Sequence, residues 1–461
     1  MSGLRSGKGK VCDSIPQFWN PDNPFPDPSE MPALPGRRRM NPKVYQRCGL
    51  CYLLRPGPPT ISVQTSPSAR PHLSAAGLAA LFAAATIGLG LVWCERLESR
   101  FIHALAPEFT EEKLQGAALQ KEAFQQPDLL VMYGSSELVK EIPNNASQFF
   151  ADYPTGFRVF PVGKPGTASL NVLQKVAAVG DTIRGRKVAY SISPGWFFSE
   201  SVDAKYYEGN FSVMQALELA FSTRLSWDLR RDVARRMIEY PRTIDDHWLL
   251  SVAIDRLAGD TVADRALFTL LRPLGALTQL IGRTQDHFES ALHILDEDER
   301  LNPVTKRGLR VMNWNEVLKK AAQFASATSV QAKRNEVTKR KALKNTRREG
   351  FLKAIATAKE WTDIELLMRT FYELGAQPLF LSMPVEDIRL EVYGLQPSAR
   401  TAYLDHLTKL ADRYDFPHLD FREHQSDPGF LLDFQDHLSS QGWLFYNKAL
   451  DDFFHGRVSS L

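Results

Sequence analysis

Short apolar runs alternate with amphipathic stretches from residue 128 onward. Runs of this length, bounded by Gly, Pro or Ser, are typical of buried strands. They are DLLVMYG (128–134), FRVFPVG (157–163), KVAYSIS (187–193) and QPLFLSMP (377–384). Between the second and third runs, one helical face carries Leu170, Leu173, Val176 and Val179. Strands that alternate with helices predict an α/β fold, with a parallel sheet flanked by helices.

The stretch from about 211 to 375 differs, because it has almost no strand character. We interpret it as a helical insertion in the α/β domain. Its residues 331–350 contain eight Lys or Arg residues against Glu336 and Glu349. Such a charge run is either a solvated surface or a docking surface for an anionic polymer or lipid headgroups.

Residues 73–94 contain no charged side chain. A helix of this length spans roughly 30 Å, enough for the hydrocarbon core of a bilayer. We therefore expect a transmembrane anchor at 73–95, followed by an extracytoplasmic domain at 96–461. A signal peptide cleaved near residues 83–85 is the alternative, but the long preceding arm favours an uncleaved anchor.

Residues 1–72 are rich in Pro, Gly and basic side chains and show no sustained hydrophobic period. We expect a disordered arm, which the positive-inside rule places in the cytoplasm. The net charge of the whole chain is only +3, so its composition gives no case for nucleic-acid binding. All four cysteines lie in the arm or the anchor, and the CxxC at 48–51 has no accompanying pair of metal ligands. No disulfide is therefore expected in the domain at 96–461, and no metal or cofactor is predicted.

The first predicted strand ends abruptly in Gly134-Ser135-Ser136-Glu137. Gly and Ser are ordinary turn residues, but strand ends in an α/β sheet are also where ligands bind. Ser135 or Ser136 is therefore a candidate nucleophile, provided that a base and a group that orients the base lie nearby.

His437 is the candidate base, since it follows Asp433 by four residues near the end of the last α/β unit. A carboxylate at this spacing can reach the imidazole across one turn of helix or a tight loop and fix its tautomer. The turn at 162–167, after the second predicted strand, contains glycines that permit the close backbone approach of an oxyanion hole. The end of the third strand adds Ser193 and Trp196 as a polar and aromatic rim for the substrate.

This order of elements is that of a flavodoxin-like serine hydrolase of the SGNH (GDSL) type. The chain resembles the DltD family, whose members have this fold. The resemblance covers about residues 75–200 and 350–461. Besides the single N-terminal anchor, it rests on GSSEL (134–138), VGKPGTASL (162–170), SISPGWF (191–197), WTDIELLMRTFYELGAQPLFLSMP (361–384) and HLSSQGWLFYNKALDDFF (437–454).

The resemblance implies a membrane-anchored, extracytoplasmic domain with a Ser-Asp-His site. Such proteins act with a membrane-bound O-acyltransferase to place D-alanyl esters on an anionic polymer, as in teichoic acid D-alanylation. The Gly-x-Ser pattern of SGNH enzymes implies that Ser136 is the nucleophile, with Ser135 as the alternative. Gly166 or Gly163 would line the oxyanion hole, and His437 would be the base.

Two departures from the family pattern bear on the site. The family spaces Asp and His as D-x-x-H, whereas Phe434 stands at that Asp position here. An extra residue in this turn makes Asp433 the expected partner of the histidine and leaves Asp436 as the alternative. The family's third motif reads Ser-Pro-Gln-Trp-Phe, and Gly195 replaces the Gln.

The leading expectation is thus a membrane-anchored serine acyltransferase or esterase that uses a D-alanyl donor. The altered Asp–His spacing and Gly195 favour an alternative, a non-catalytic partner of the membrane-bound acyltransferase. An accessory protein of polysaccharide O-acetylation fits the same fold and anchor.

Overall fold

The computed structural model describes residues 70–297, 301, 309–321, 353, 355–427, 429–433 and 436–458. The CxxC at 48–51, the basic stretch at 331–350 and nearly all of the arm predicted at 1–72 lie outside the described residues.

Within these residues, five parallel strands form one sheet in the order β2-β1-β3-β4-β5. The strands are β1 (Leu129–Tyr133), β2 (Arg158–Val162), β3 (Lys187–Ile192), β4 (Gln377–Ser382) and β5 (His418–Leu419). This is the flavodoxin-like strand order. The predicted α/β fold is confirmed, and the four predicted strands are β1 to β4. The two-residue strand β5 was not predicted, because a run this short leaves no hydrophobic period.

Helices connect and cover the strands. They are α1 (Arg70–Leu105), α2 (Glu111–Gln115), α3 (Ala118–Gln125), α4 (Ser136–Val139), α5 (Ala146–Asp152), α6 (Ser169–Val179), α7 (Ala204–Asn210), α8 (Val213–Ala220), α9 (Trp227–Met237), α10 (Trp248–Ala258), α11 (Val262–Glu297), α12 (Trp314–Ala321), α13 (Glu360–Leu374), α14 (Asp387–Tyr393), α15 (Pro397–Asp412) and α16 (Ser440–Phe454). From α8 to α13, the elements described within residues 211–375 are helices, joined by turns and loops. The limits assigned to a helical insertion there remain a prediction.

Local chemistry explains where many helices begin. A side-chain oxygen at the residue before the helix accepts a backbone N–H of the first turn, which satisfies a donor that the helix leaves unpaired. The residues that do so are Thr110, Asn145, Asp203, Ser212, Ser226 and Ser439. At its other end, α13 stops at Gly375, whose φ of +69° lies in the left-handed region that glycine adopts readily.

The sheet is covered on both faces. On one face, Leu130 and Met132 of β1 belong to a core cluster with Phe150 of α5 and Trp443 of α16. On the other, α6 is buried along its whole length and packs against α13 and α8. Burial on both faces explains why every residue of β1 is apolar and buried, with no polar alternation in its sequence.

The chain divides into two compact units, Met1–Gly90 and Leu91–Leu461. Among the described residues of both units, one helix is long and apolar enough to cross a membrane, His72–Leu105, and it is consistent with the predicted single-pass anchor. Within the second unit, α1 buries Cys94, Glu98 and Ile102, which recur every four residues on one helical face. The Glu98 carboxylate lies 2.9 Å from Nδ1 of His287 on α11.

Candidate active site

The carboxyl end of β1 lies where the strand order reverses, because β1 has β2 on one side and β3 on the other. Open α/β sheets bind ligands at this switch point. The chain turns there through Gly134 into α4, which begins at Ser136. The turn after β2 lies close to Gly134, since a Cβ atom on Gly163 would lie 2.2 Å from the carbonyl oxygen of Gly134. A residue with a side chain at Gly163 would therefore push these two turns apart.

Three of the predicted site residues meet at this position. The Oγ atom of Ser136 lies 2.8 Å from Nε2 of His437. The opposite ring nitrogen, Nδ1, lies 2.9 Å and 2.8 Å from the two carboxylate oxygens of Asp433. This is the order of contacts by which a histidine, oriented by a carboxylate, removes a proton from a serine hydroxyl.

A tight loop brings the histidine to the serine. Leu431 and Leu438 form an antiparallel bridge, and the Leu432 N–H donates to the carbonyl of His437 at 2.7 Å. The chain thus folds back on itself between 431 and 438, which places Asp433 and His437 together despite the extra residue between them.

Lys140 lies on the carboxylate side of the imidazole. Its Nζ is 2.8 Å from Oδ2 of Asp433 and 2.8 Å from Nδ1 of His437. Nδ1 cannot donate to Asp433 and accept from Lys140 at the same time. With a proton on Nδ1, the Nε2 atom accepts from the Ser136 hydroxyl, but with the proton on Nε2 it cannot. Lys140 and Asp433 therefore favour different tautomers of His437.

These contacts also determine the charge of Asp433. Burial alone would raise the pKa of its carboxyl group, but attraction to His437 and Lys140, with their hydrogen bonds, holds the pKa well below its ordinary value. Asp433 is consequently ionised at neutral pH and remains a hydrogen-bond acceptor.

Asp436, the alternative partner, faces away from the imidazole. Its Oδ2 atom accepts from the Ser193 hydroxyl and from the Gly195 N–H, each at 2.8 Å, and its Oδ1 atom accepts from Arg389. The backbone of Asp436 has a φ of +62°, in the left-handed region. Asp436 therefore joins the His437 loop to the loop after β3.

Ser135, the alternative nucleophile, is buried, whereas Ser136 is partly exposed. The Ser135 N–H donates to Oε1 of Glu137 at 2.9 Å. Burial raises the pKa of the Glu137 carboxyl group, and the N–H groups of Ser135 and of Glu137 itself oppose that shift. Glu137 thus has a structural role: its side chain folds back and fixes the turn that presents Ser136.

Two of the remaining predicted residues, Gly166 and Trp196, pack against Tyr206. Gly166 has a φ of +87°, and a Cβ atom there would lie 2.6 Å from the Tyr206 ring. The Trp196 indole is 3% exposed and packs edge-on against the same ring, with centroids 5.7 Å apart. The hydroxyl of Ser193 is engaged by Asp436. Roles for Gly163 and Gly166 in an oxyanion hole, and for Ser193 and Trp196 at a substrate rim, remain predictions.

Two residues of the site were not found from the sequence. Lys140 follows Ser136 by four residues, so one helical turn places both on the same side, and that spacing was an available signal. Arg389 gives no such signal, since its contact with Asp436 joins residues 47 positions apart. In the parts of the chain that the structure describes, no group of three or more His, Cys, Asp or Glu side chains is arranged to hold a metal ion.

Comparison with known proteins identifies the family of the chain. A family model described as "DltD protein" matches residues 106–455. The chain is 27% identical to Protein DltD of Bacillus subtilis (strain 168) over 352 residues, which cover 75% of this chain and 88% of that protein. It is 21% identical to Protein DltD of Staphylococcus aureus over 352 residues, or 74% and 85% of the two chains. Protein DltD of Lacticaseibacillus rhamnosus is also 21% identical, over 76% of this chain and 83% of the relative. The chain belongs to the DltD family.

Proposed function

We propose that this protein is a membrane-anchored serine acyltransferase or esterase that acts in D-alanyl ester transfer to an anionic cell-envelope polymer, as in teichoic acid D-alanylation. The observation that carries the proposal is the contact between Ser136 and His437 at 2.8 Å, with both Asp433 oxygens on the other ring nitrogen. Membership of the DltD family supports the pathway.

In the proposed first step, His437 Nε2 takes the proton of the Ser136 hydroxyl as Oγ attacks the carbonyl carbon of a D-alanyl ester or thioester. The tetrahedral oxyanion is stabilised by backbone N–H groups, for which the turn containing Gly163 and Gly166 is the candidate. The leaving alcohol or thiol departs with the proton from His437, and the D-alanyl group remains esterified to Ser136.

In the second step, a hydroxyl of the polymer gives its proton to His437 and attacks the carbonyl of the acyl-serine. The bond to Ser136 Oγ then breaks, His437 returns the proton to Oγ, and the polymer ester is formed. Water in place of that hydroxyl gives hydrolysis, so an esterase and a transferase share one mechanism. Asp433 stays ionised and holds Nδ1–H while the imidazole becomes positive.

The proposed orientation in the membrane follows from the anchor. The N-terminus lies in the cytoplasm, the helix His72–Leu105 provides the single membrane span, and the domain after it lies outside. The proposed partners are a membrane-bound O-acyltransferase, a D-alanyl donor and the anionic polymer acceptor.

The proposal is tested by treating the full chain, in detergent micelles, with a fluorophosphonate probe and mapping the labelled residue by mass spectrometry. We expect labelling at Ser136 that is lost in Ser136→Ala and His437→Ala but kept in the matched control Ser135→Ala. In cells, Ser136→Ala should abolish polymer D-alanylation at unchanged protein level. Labelling at Ser135, or normal D-alanylation in Ser136→Ala cells, would contradict the assignment.

Two observations favour a second candidate function, a non-catalytic partner of the acyltransferase. Gly195 stands where the family's third motif has a Gln, and the Lys140 ammonium lies against Nδ1 of His437, where it opposes the active tautomer. If this function is correct, Ser136→Ala will leave both D-alanylation and co-purification with the acyltransferase unchanged.

A further inference from the structure

Helix α11 carries an exposed apolar face that the proposed acyl transfer does not use. We define the leucine face as Leu267, Leu270, Leu274, Leu277 and Ile281, which recur at alternating steps of three and four residues. Their exposed fractions range from 38% to 75%. The face is about 21 Å long, since 14 residues separate its ends. Folded domains rarely leave so many large aliphatic side chains in water on one surface.

The opposite side of α11 is held by its own domain. The Phe268 ring stacks on Phe221 with centroids 5.3 Å apart, and it meets Trp227 edge-on at 5.4 Å. Gly275 allows close packing there, since a Cβ atom on it would lie 2.5 Å from the Phe221 ring. Because Phe268 and Gly275 fix the helix about its axis, the leucine face points away from the domain core.

The connection between α11 and α1 indicates which surface the face meets. The uncharged run of α1 ends at Cys94, and Glu98 follows about 6 Å further along the helix. The Glu98 carboxylate contacts His287 of α11 at 2.9 Å. The leucine face ends at Ile281, six residues before His287 and so about 9 Å away along α11. The near end of the face therefore lies about two helical turns along α11 from the residue that contacts Glu98.

The side chains around the face favour lipid over a second copy of the chain. A helix pair needs charged residues beside the apolar seam to fix partner and register, but the flanking positions here hold Leu271, Pro273, Thr278 and Leu280. Exposed arginines occur on the same helix at Arg265 and Arg272. Both lie about 160–180° around the helix from the centre of the leucine face. A helix with leucines on one face and arginines on the other has the pattern of helices that lie in the interface of a membrane.

We propose that α11 is an interfacial helix whose leucine face inserts into the outer boundary of the bilayer. The domain is then attached to the membrane at two places, by the span of α1 and by the side of α11. This inference does not depend on the chemistry of Ser136.

The test uses the full chain, reconstituted in vesicles of phosphatidylcholine with phosphatidylglycerol. The photoreactive amino acid benzoylphenylalanine replaces Leu270 in one variant and Leu277 in a second. In the matched control it replaces Ala276, which is also exposed but lies about 100° around the helix from Leu277. Equal thermal unfolding midpoints verify that all three variants are folded. After illumination, mass spectrometry identifies what each position has captured.

We expect phospholipid adducts at positions 270 and 277, at a yield at least about fivefold above that at position 276. A covalent dimer of the chain at 270 or 277 would show that a second copy covers the face and would overturn the proposal. Equal, low adduct yields at all three positions would show a water-exposed face and would also overturn it. The same adduct pattern is expected in a Ser136→Ala background, so the result stands or falls separately from the proposed acyl transfer.

Discussion

At the residue scale, the two aspartates close to His437 in the sequence have different roles. Asp433 contacts the imidazole, whereas Asp436 contacts Ser193, Gly195 and Arg389. One carboxylate therefore orients the proposed base, and the other fixes the loop that carries it. A change at either position is expected to reduce activity, but for separable reasons.

Asp433→Asn keeps the shape of the side chain and removes the charge that holds Nδ1–H. We expect probe labelling of Ser136 to slow by about 10²- to 10⁴-fold at an unchanged unfolding midpoint. Asp436→Asn removes a buried negative charge that pairs with Arg389, and the loss of one partner of a buried ion pair costs about 3–5 kcal/mol. We therefore expect Asp436→Asn to lower the unfolding midpoint. Labelling rates and thermal unfolding of both variants check this, and the reverse pattern would exchange the two roles.

Removal of the Lys140 charge is expected to speed the labelling of Ser136, whereas Asp433→Asn slows it. When His437 takes the serine proton it becomes positive, and an ammonium 2.8 Å from Nδ1 opposes that charge. Lys140→Met should therefore speed the labelling of Ser136, by up to about fivefold, because Lys140 is partly exposed and solvent screens the interaction. Lys140→Arg, which keeps the positive charge, should stay near the wild-type rate. Slower labelling in Lys140→Met would mean that support of Asp433 is the larger effect.

Part of this site was predictable from the sequence because its signals are local. Asp433 and His437 are four residues apart, and Ser136 follows a strand and a glycine. The contact of Lys140 with Asp433 joins residues 293 positions apart, and no local pattern encodes such a contact. The orientation of Asp436 likewise depends on a left-handed backbone that the residue type permits but does not require.

At the scale of elements, a buried set of charged side chains joins α6, α9 and α13. Arg236 of α9 donates to both oxygens of Asp363 on α13, at 2.7 Å and 2.9 Å. Glu360, also on α13, accepts the Ser169 N–H at the start of α6 at 3.0 Å. Burial, with the nearby Asp363 carboxylate, raises the pKa of Glu360 to about 8. These contacts hold α13 and α9 against the helix that follows β2.

A raised acid pKa makes stability depend on pH. The protonated form of Glu360 is favoured in the folded state, so its contribution is complete below the ordinary glutamate value of about 4.3 and is lost as pH rises through about 8. Glu360→Gln should therefore flatten the fall of the unfolding midpoint between mildly acidic and mildly alkaline pH. Glu365→Gln, at a more exposed position of α13, is the matched control and should change little. An equal pH dependence in wild type and Glu360→Gln would contradict the assignment.

Strands β1 to β4 were predictable because they are largely buried on both faces, so a continuous apolar run identifies each of them. The short helix α4 could not be distinguished in the sequence from the loop that precedes it, since its four residues form one helical turn and show no hydrophobic period. The hydrophobic pattern also did not predict the burial of polar residues on α6, such as Lys175 and Gln174. Lys175 Nζ donates to the carbonyl of Leu114 and Gln174 Nε2 donates to the hydroxyl of Tyr207, and both partners lie far away in the sequence.

At the scale of the whole molecule, the proposed membrane span predicts on which side of the membrane the proposed site operates. We expect the full chain to remain in the membrane fraction after alkaline carbonate extraction, because the uncharged run of α1 stays in the bilayer. Protease added outside intact spheroplasts should remove an epitope placed at the C-terminus and spare one at the N-terminus. Protection of the C-terminal epitope would reverse the predicted orientation.

The contact between Ser136 and His437 joins residues 301 positions apart. A ribosome that adds about 5–20 residues per second needs roughly 15–60 s to travel from one to the other. Throughout that interval the proposed nucleophile exists without its base, since the loop at 431–438 has not yet been synthesised. On the proposed mechanism, a nascent chain therefore has no base to activate Ser136. A truncated product that ends before His437 is expected to be inactive.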